Sequence, residues 1–113
     1  MNPQHAAMLQ QHVEAENAQN LAGTLATLHA QCVFRDNATG QIWNGHEGAG
    51  AHYRQWWDCF DVKVVRKPGQ AAGWIGDDAY AAEATWVGTH TGSFLGIPAT
   101  GRPIAQSFVV TAA

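Results

Sequence analysis

His90 sits in GTHTGSFLGIPATGRPI, residues 88–104, among small and β-branched residues, with Arg102 as the only charge nearby. An imidazole titrates near neutral pH, so in such a setting it can pass a proton or donate a hydrogen bond to a bound group. The competing role is to pin the stretch by bonding to Thr89 or to backbone. Asp36 follows the first predicted strand, where a carboxylate can reach an interior. Bonding to nearby amides in the Asp-Asn-Ala-Thr-Gly turn is its plainer use. Glu16 and Asn17 close the first predicted helix and can face inward or lie on the surface. Gln106 can bind a carbonyl oxygen but cannot act as a base.

Three other patterns fail. HEGAGAH, from His46, lacks a second histidine at the fourth position, where Gly50 stands, so the metalloprotease helix is not present. GHEGAG does not match a dinucleotide-binding glycine fingerprint. Asn37-Ala38-Thr39 fits a glycosylation sequon, but no secretory signal accompanies it. Cys32 and Cys59 have no paired spacing, which gives no metal knuckle or disulfide framework.

The elements that must place these side chains read as helices followed by strands. A helix is predicted over 6–16, with Leu9, Val13 and Glu16 on one side. Asn20 caps a second, whose Leu21, Leu25 and Leu28 form an apolar stripe. Short strands are predicted at Val33-Phe34 and at Ile42-Trp43. A third helix runs from about Glu47 to Phe60 and places Tyr53, Trp56, Trp57 and Phe60 at i, i+3, i+4 and i+7. Adjacent residues on a helix diverge, so Trp56 and Trp57 cannot both point into one core. DVKVVRK is a strand that ends at Pro68-Gly69, and Trp74, between glycines, reads as a loop or interface residue. A long strand from Ala79 puts Tyr80, Ala82, Ala84, Trp86, Gly88 and His90 on one face, with Glu83 on the other. A last strand, RPIAQSFVV, carries Ile104, Gln106, Phe108 and Val110 on one face. This order predicts an α+β fold, helices covering one side of an antiparallel sheet.

The chain has 113 residues, enough for one domain over residues 1–113 and a modest core. Charged residues make up only 13%, about half the usual share. The net charge is −3 with no basic run, which argues against nucleic acid as a partner. No apolar run approaches the roughly 18 residues of a membrane span, and the first residues lack the pattern of a signal peptide. The expectation is a cytoplasmic protein.

GTHTGSFLGIPATGRPI resembles the signature of SnoaL-like proteins, the polyketide and ester cyclase branch of the NTF2-like superfamily. AENAQNLAGTLATLH, from Ala15, and WNGHEGAGAHYRQWWDCF, from Trp43, agree in order, so the resemblance covers about residues 9–111. It implies an NTF2-like cone, N-terminal helices packed in a curved antiparallel sheet, with an apolar pocket at the wide end. It also implies a hydrophobic small molecule as ligand and a homodimer through the sheet. Neither a metal nor another cofactor is implied. Relatives close polyketide rings or isomerise steroids, and both reactions need a proton-abstracting group and a donor for the developing oxyanion. His90, in phase with Trp86 at the end of the long strand, is the best candidate for either role, with Asp36 second.

The pocket is then expected to be lined by Asn17, Trp43, Tyr53, Trp56, Trp57, Trp86 and Gln106. Phe94, Leu95 and Ile97 fold inward as its lid, and Pro98 and Pro103 stiffen the return. The aromatics can equally be plain core. Two departures stand out. The cyclases place an acidic residue on the strand after the Pro-Thr-Gly turn, and residues 103–113 contain none. Family members also continue into a further strand inside the sheet, which this chain is expected to lack, leaving unpaired backbone there. A non-catalytic ligand-binding or dimerisation module of the same fold is the alternative function. An epoxide hydrolase needs an Asp-Arg-Asp set, of which Arg35-Asp36 supplies only part.

Overall fold

Helix formation starts earlier than the apolar spacing suggests. In the computed structural model, which describes residues 1–113, α1 spans Pro3–Asn17. The side chain of Asn2 accepts a hydrogen bond from the Gln4 amide at 2.9 Å, and Pro3 takes a first-turn position that needs no amide donor. The second helix, α2 (Leu21–Ala26), is capped by Asn20 as the sequence predicts, through Gly23 N at 3.0 Å. Strands β1 (Val33–Arg35) and β2 (Ile42–Asn44) form a small antiparallel pair of their own. The long helix α3 (Gly45–Phe60) stops at Asp61, which takes the left-handed conformation.

The second sheet holds β3 (Lys63–Val65), β4 (Ala72–Ile75), β5 (Ala79–Thr89) and β6 (Pro103–Ala112). Its centre is β5. Along one side β5 pairs with β6 over ten residues, and along the other it pairs with β3 near its end and β4 near its start. Strand β4 corrects the reading of Trp74 as a loop residue. Trp74 pairs with Tyr80 across the strands, their rings 5.2 Å apart, and the left-handed Gly76 makes the turn that follows. The far edge of β6 has no partner strand, and the β1–β2 pair remains separate from the larger sheet.

The helices cover one face of the larger sheet, which is the α+β arrangement expected. Tyr53, Trp57 and Val62 form the buried centre, and Leu21, Leu28, Phe34 and Ile104 pack around it. Trp86 reaches this centre from β5, on the same face as Ala82 and Ala84, whereas Glu83 is exposed on the other. Asn17 fastens the end of α1 to β3. Its Nδ2 donates to the Val64 carbonyl at 3.0 Å, and its Oδ1 accepts from Val64 N at 2.8 Å.

The join between α3 and β5 depends on two glycines. A Cβ on Gly88 would collide with the Phe60 carbonyl oxygen, and one on Gly92 would lie 2.7 Å from the Asp58 carbonyl oxygen. The chain therefore lies directly on the end of α3, where helix carbonyls lack partners within the helix. Thr91 N and Gly92 N both donate to the Cys59 carbonyl, at 2.8 and 3.1 Å, and the Thr91 hydroxyl donates to the Asp58 carbonyl at 3.1 Å. This explains the spacing of the Gly-Thr-His-Thr-Gly run. We expect Gly88→Ala to cost about 3 kcal/mol of stability, since only backbone can yield to the added methyl. Urea unfolding measures this, and a wild-type midpoint would contradict the close approach.

Candidate functional site

His90, at the end of β5, is only 7% exposed. Its backbone is fixed on both sides, His90 N donating to the Arg102 carbonyl and Gly101 N to the His90 carbonyl, each at 2.9 Å. Thr100 N donates to His90 Nδ1 at 3.3 Å, and the Thr100 hydroxyl lies 3.0 Å from the same nitrogen. That hydroxyl accepts from Arg102 N at 3.3 Å and keeps its own proton for Nδ1. Nδ1 is thus an acceptor, so the neutral ring carries its proton on Nε2. Nε2 is buried and has no partner. Nδ1 pins the loop, through Thr100 instead of Thr89, and Nε2–H is left as a donor without a partner.

A cluster of rings continues from His90 through Phe60. Phe60 stacks on the His90 ring at 5.0 Å and 26°. Trp56 lies 5.3 Å from Phe60 and 4.3 Å from Trp86, and Trp86 lies 4.9 Å from Phe108. Phe94 folds inward as expected, 5.0 Å from Phe60 and 5.3 Å from Trp56. Leu95 and Ile97 do not. They are 64% and 57% exposed, because Phe94 and Ile97 pair their backbones at 2.9 Å in both directions. Leu95 and Gly96 form the two-residue tip, both at positive φ, which turns Leu95 away from the interior.

The remaining predicted residues divide by contact. Trp57 turns away from Trp56, as adjacent helical positions must, and stacks on Tyr53 at 5.4 Å in the core. Trp43 packs on His52, 5.9 Å away. The amide of Asn17 is spent on Val64. Gln106 pairs with Trp86 across the strands, yet its side chain is exposed and donates to the Ser107 carbonyl at 3.0 Å. Asp36 uses Oδ1 to accept from Ala38 N and Thr39 N, at 2.9 and 3.2 Å, which is the turn-forming arrangement. His90, Trp56, Trp86 and Phe94 belong to one chain of ring contacts through Phe60; the side chains of Asn17 and Asp36 are bonded elsewhere, and those of Leu95, Ile97 and Gln106 are exposed.

A second polar centre joins all three helices, and its histidine carries no motif in the sequence. The Thr27 hydroxyl donates to the Thr24 carbonyl at 2.7 Å, so toward His12 Nδ1, also at 2.7 Å, it must accept. His12 Nε2 meets the Tyr53 hydroxyl at 3.1 Å and Glu16 Oε2 at 3.3 Å. The i, i+4 spacing of His12 and Glu16 was the available signal. Burial, reinforced by the Glu16 and Cys32 charges, pushes the Tyr53 hydroxyl far above its ordinary range, so it stays protonated. Beside it, burial holds His52 below the usual imidazole value, against the opposing pull of Glu16 and Asp36.

The two main surface hollows lie away from His90. One, of about 360 Å³, runs between α1 and the β4–β5 pair, with Leu9, Val13, Trp74 and Tyr80 in its walls. The other, of about 350 Å³, lies along β4 beside Glu83 and Val109. No three metal-binding side chains converge, and no helix is long and apolar enough to cross a membrane.

Residues 9–112 match the SnoaL-like domain family. A candidate polyketide cyclase of Pseudomonas putida superposes with a TM-score of 0.79 at 19% identity, covering 98% of this chain and 80% of that one. A candidate polyketide cyclase of a Silicibacter species gives 0.79 at 22% identity, over 95% and 77% of the two chains. A Catenulispora acidiphila protein with a ketosteroid isomerase-like fold gives 0.72 at 18% identity, over 98% and 75%. At these identities the likeness establishes a shared fold. No curated protein matches the chain.

The state of His52 has a measurable consequence. Its folded value lies below the ordinary 6.5, so below that pH the unfolded chain binds more protons than the folded one. Its contribution to stability is then complete above that value and is lost as pH falls through it. We expect wild-type stability to drop from pH 7 to pH 5, and His52→Phe to flatten that slope in pH-dependent urea melts. An unchanged slope would contradict a neutral, buried His52.

Proposed function

The chain belongs to the SnoaL-like domain family, and from that premise we propose that it binds a hydrophobic, carbonyl-bearing small molecule against the rings shared by α3 and β5. The observation that carries this reading is His90 Nε2–H, a buried donor with nothing to bond. Buried polar groups are nearly always paired, and a ligand oxygen supplies the missing acceptor. The aromatic rings beside it, tilted against one another, give the ligand an apolar wall as its seat, and Phe94 is the inward residue of the loop that follows β5.

The family resemblance suggests cyclisation or isomerisation through proton transfer, for which this seat supplies the donor to the carbonyl oxygen and no proton-abstracting group. His90 is placed to hydrogen-bond or protonate the carbonyl oxygen as negative charge develops, in a setting that water does not screen. That is an acid's role; Nε2 serves as a base only after giving up its proton. Ligand binding without turnover is the second reading. It is favoured by the absence of Asp or Glu on β6 and by the engagement of Asp36 with two amides.

The quaternary part of the proposal is a homodimer through the sheet. Val65, Ile75 and Val109 all lie on the face turned from the helices and all are exposed. Both cysteines are free, in keeping with a reducing cytoplasm.

Tryptophan fluorescence tests the seat directly, because Trp56 and Trp86 border it. A panel of aromatic polyketide esters, steroids and terpenoids is expected to give saturable, class-selective quenching. His90→Phe should weaken binding of the best ketone by about tenfold, the value of one well-made hydrogen bond. A flat response across the panel overturns the reading. Sedimentation at micromolar concentration should report a dimer, and Val109→Lys a monomer; a monomeric wild type removes the dimer.

A further inference from the structure

The first helix is bonded to the larger sheet near its two ends. At its C-terminal end Asn17 holds Val64 on β3, by bonds of 3.0 and 2.8 Å. At its N-terminal end the chain clasps the turn between β4 and β5. Asn2 N donates to the Asp77 carbonyl at 3.3 Å, and the Met1 ammonium lies 3.2 Å from Asp77 Oδ1. His5 Nδ1 lies 3.1 Å from Asp78 Oδ1. No residue of α1 is fully buried. Between the two ties the hollow of about 360 Å³ stays open.

Its wall joins two kinds of surface. Leu9 and Val13 on α1 supply alkyl groups, and Trp74 and Tyr80 supply two rings 5.2 Å apart, inclined by 60°. Trp74 pairs with Tyr80 across the strands, and Tyr80 alternates in phase with Ala82 and Ala84, so both rings are on the face toward the helices. Glu14 is the one charged residue in the wall, which contains no Lys, Arg or His. Its Oε1 accepts from Gln10 Nε2 at 3.1 Å, and no basic group pairs with it. Asp77 and Asp78, at the tip of the hairpin, are already answered by Met1 and His5. Glu14 is the carboxylate still without a cation.

Two aromatic rings and an unanswered carboxylate suit an organic ammonium ion. The negative face of a ring attracts positive charge, and a quaternary ammonium, which has no N–H to offer water, is readily taken from solvent by such a face. An anion would meet Glu14 as a like charge, and a neutral molecule would gain contact area alone. We propose that this hollow is a second ligand site, separate from the rings around His90, and that it takes an alkylated ammonium ion. The methylated head lies against Trp74 and Tyr80 beside Glu14, and an alkyl arm lies along Leu9 and Val13. Nothing in this assignment depends on a ligand at His90.

Nitrogen-15 NMR of the full chain tests it with choline, its neutral carbon analogue 3,3-dimethyl-1-butanol, hexyltrimethylammonium and hexanesulfonate. Choline should shift the Trp74 indole signal and the amides of residues 9–14 saturably. It should bind about tenfold more tightly than the neutral analogue, as a cation–π contact and one exposed ion pair together supply. Hexyltrimethylammonium should bind severalfold more tightly than choline, through its longer arm. Hexanesulfonate should shift nothing there. Glu14→Lys puts a cation of the chain's own in the hollow and should weaken hexyltrimethylammonium by about tenfold. Glu14 is exposed, so this variant keeps the fold. Trp74→Leu should weaken the same ligand severalfold, and Glu83→Gln, on the opposite face of the sheet, should not. Equal affinity for choline and its neutral analogue overturns the ammonium site, and so does unaltered affinity in Glu14→Lys. Shifts confined to Trp56 and Trp86 would put the ligand at the ring seat, which overturns the second site and leaves the seat standing.

Discussion

The contact between the end of α3 and the Gly88–Gly92 segment is the constraint on which the rest of the interior depends. Helix carbonyls at Asp58 and Cys59 need donors, and the Thr91 and Gly92 amides with the Thr91 hydroxyl provide them. The approach is so close that Gly88 has no room for a side chain against the Phe60 carbonyl. Because His90 lies between these glycines, its ring is placed by the same contact, stacked on Phe60, the last residue of the helix. One backbone junction therefore sets the angle of the helix on the sheet and the position of the imidazole together.

Two regions of contrasting chemistry result along the inner side of α3. Toward its C-terminal end the neighbours are rings with unanswered donors. Toward its middle, Tyr53 enters a network whose groups find partners on the other two helices: His12 and Glu16 on α1, and Thr27 just beyond α2. The satisfied network fixes how the helices lie against one another, as a fully paired buried network tends to do. Three of the five unpaired nitrogens, those of Trp56, Trp86 and His90, lie toward the other end, whereas those of Trp43 and His52 lie beside Tyr53.

Much of the fold was legible because it rests on local signals. The Asn20 cap, the Tyr53-to-Phe60 stripe and the alternation from Tyr80 to His90 each report short-range geometry, and each appears where predicted. Strand β4 was missed because glycines flank Trp74, and only pairing with the start of β5 makes a strand of it. Within the site, His90 was legible from its setting, but its partner Thr100 was not, since that contact is made by the return of the loop. Leu95 and Ile97 look like lid residues by composition; the tight turn at Leu95-Gly96 decides otherwise. His12 was missed because its partners Thr27 and Tyr53 are 15 and 41 residues away.

The shared ring of His90 links the loop to whatever meets Nε2. Thr100 holds one nitrogen, and a bound oxygen would take the proton on the other. Hydrogen bonds in such a chain polarise one another, so donation to Nδ1 and donation from Nε2–H are not independent. Thermodynamic linkage makes the effect reciprocal: if an ordered Thr100 loop changes affinity at Nε2, a ligand there changes the order of the loop by the same free energy. Residues 99–102, which need not touch a ligand, thereby become part of its binding equilibrium.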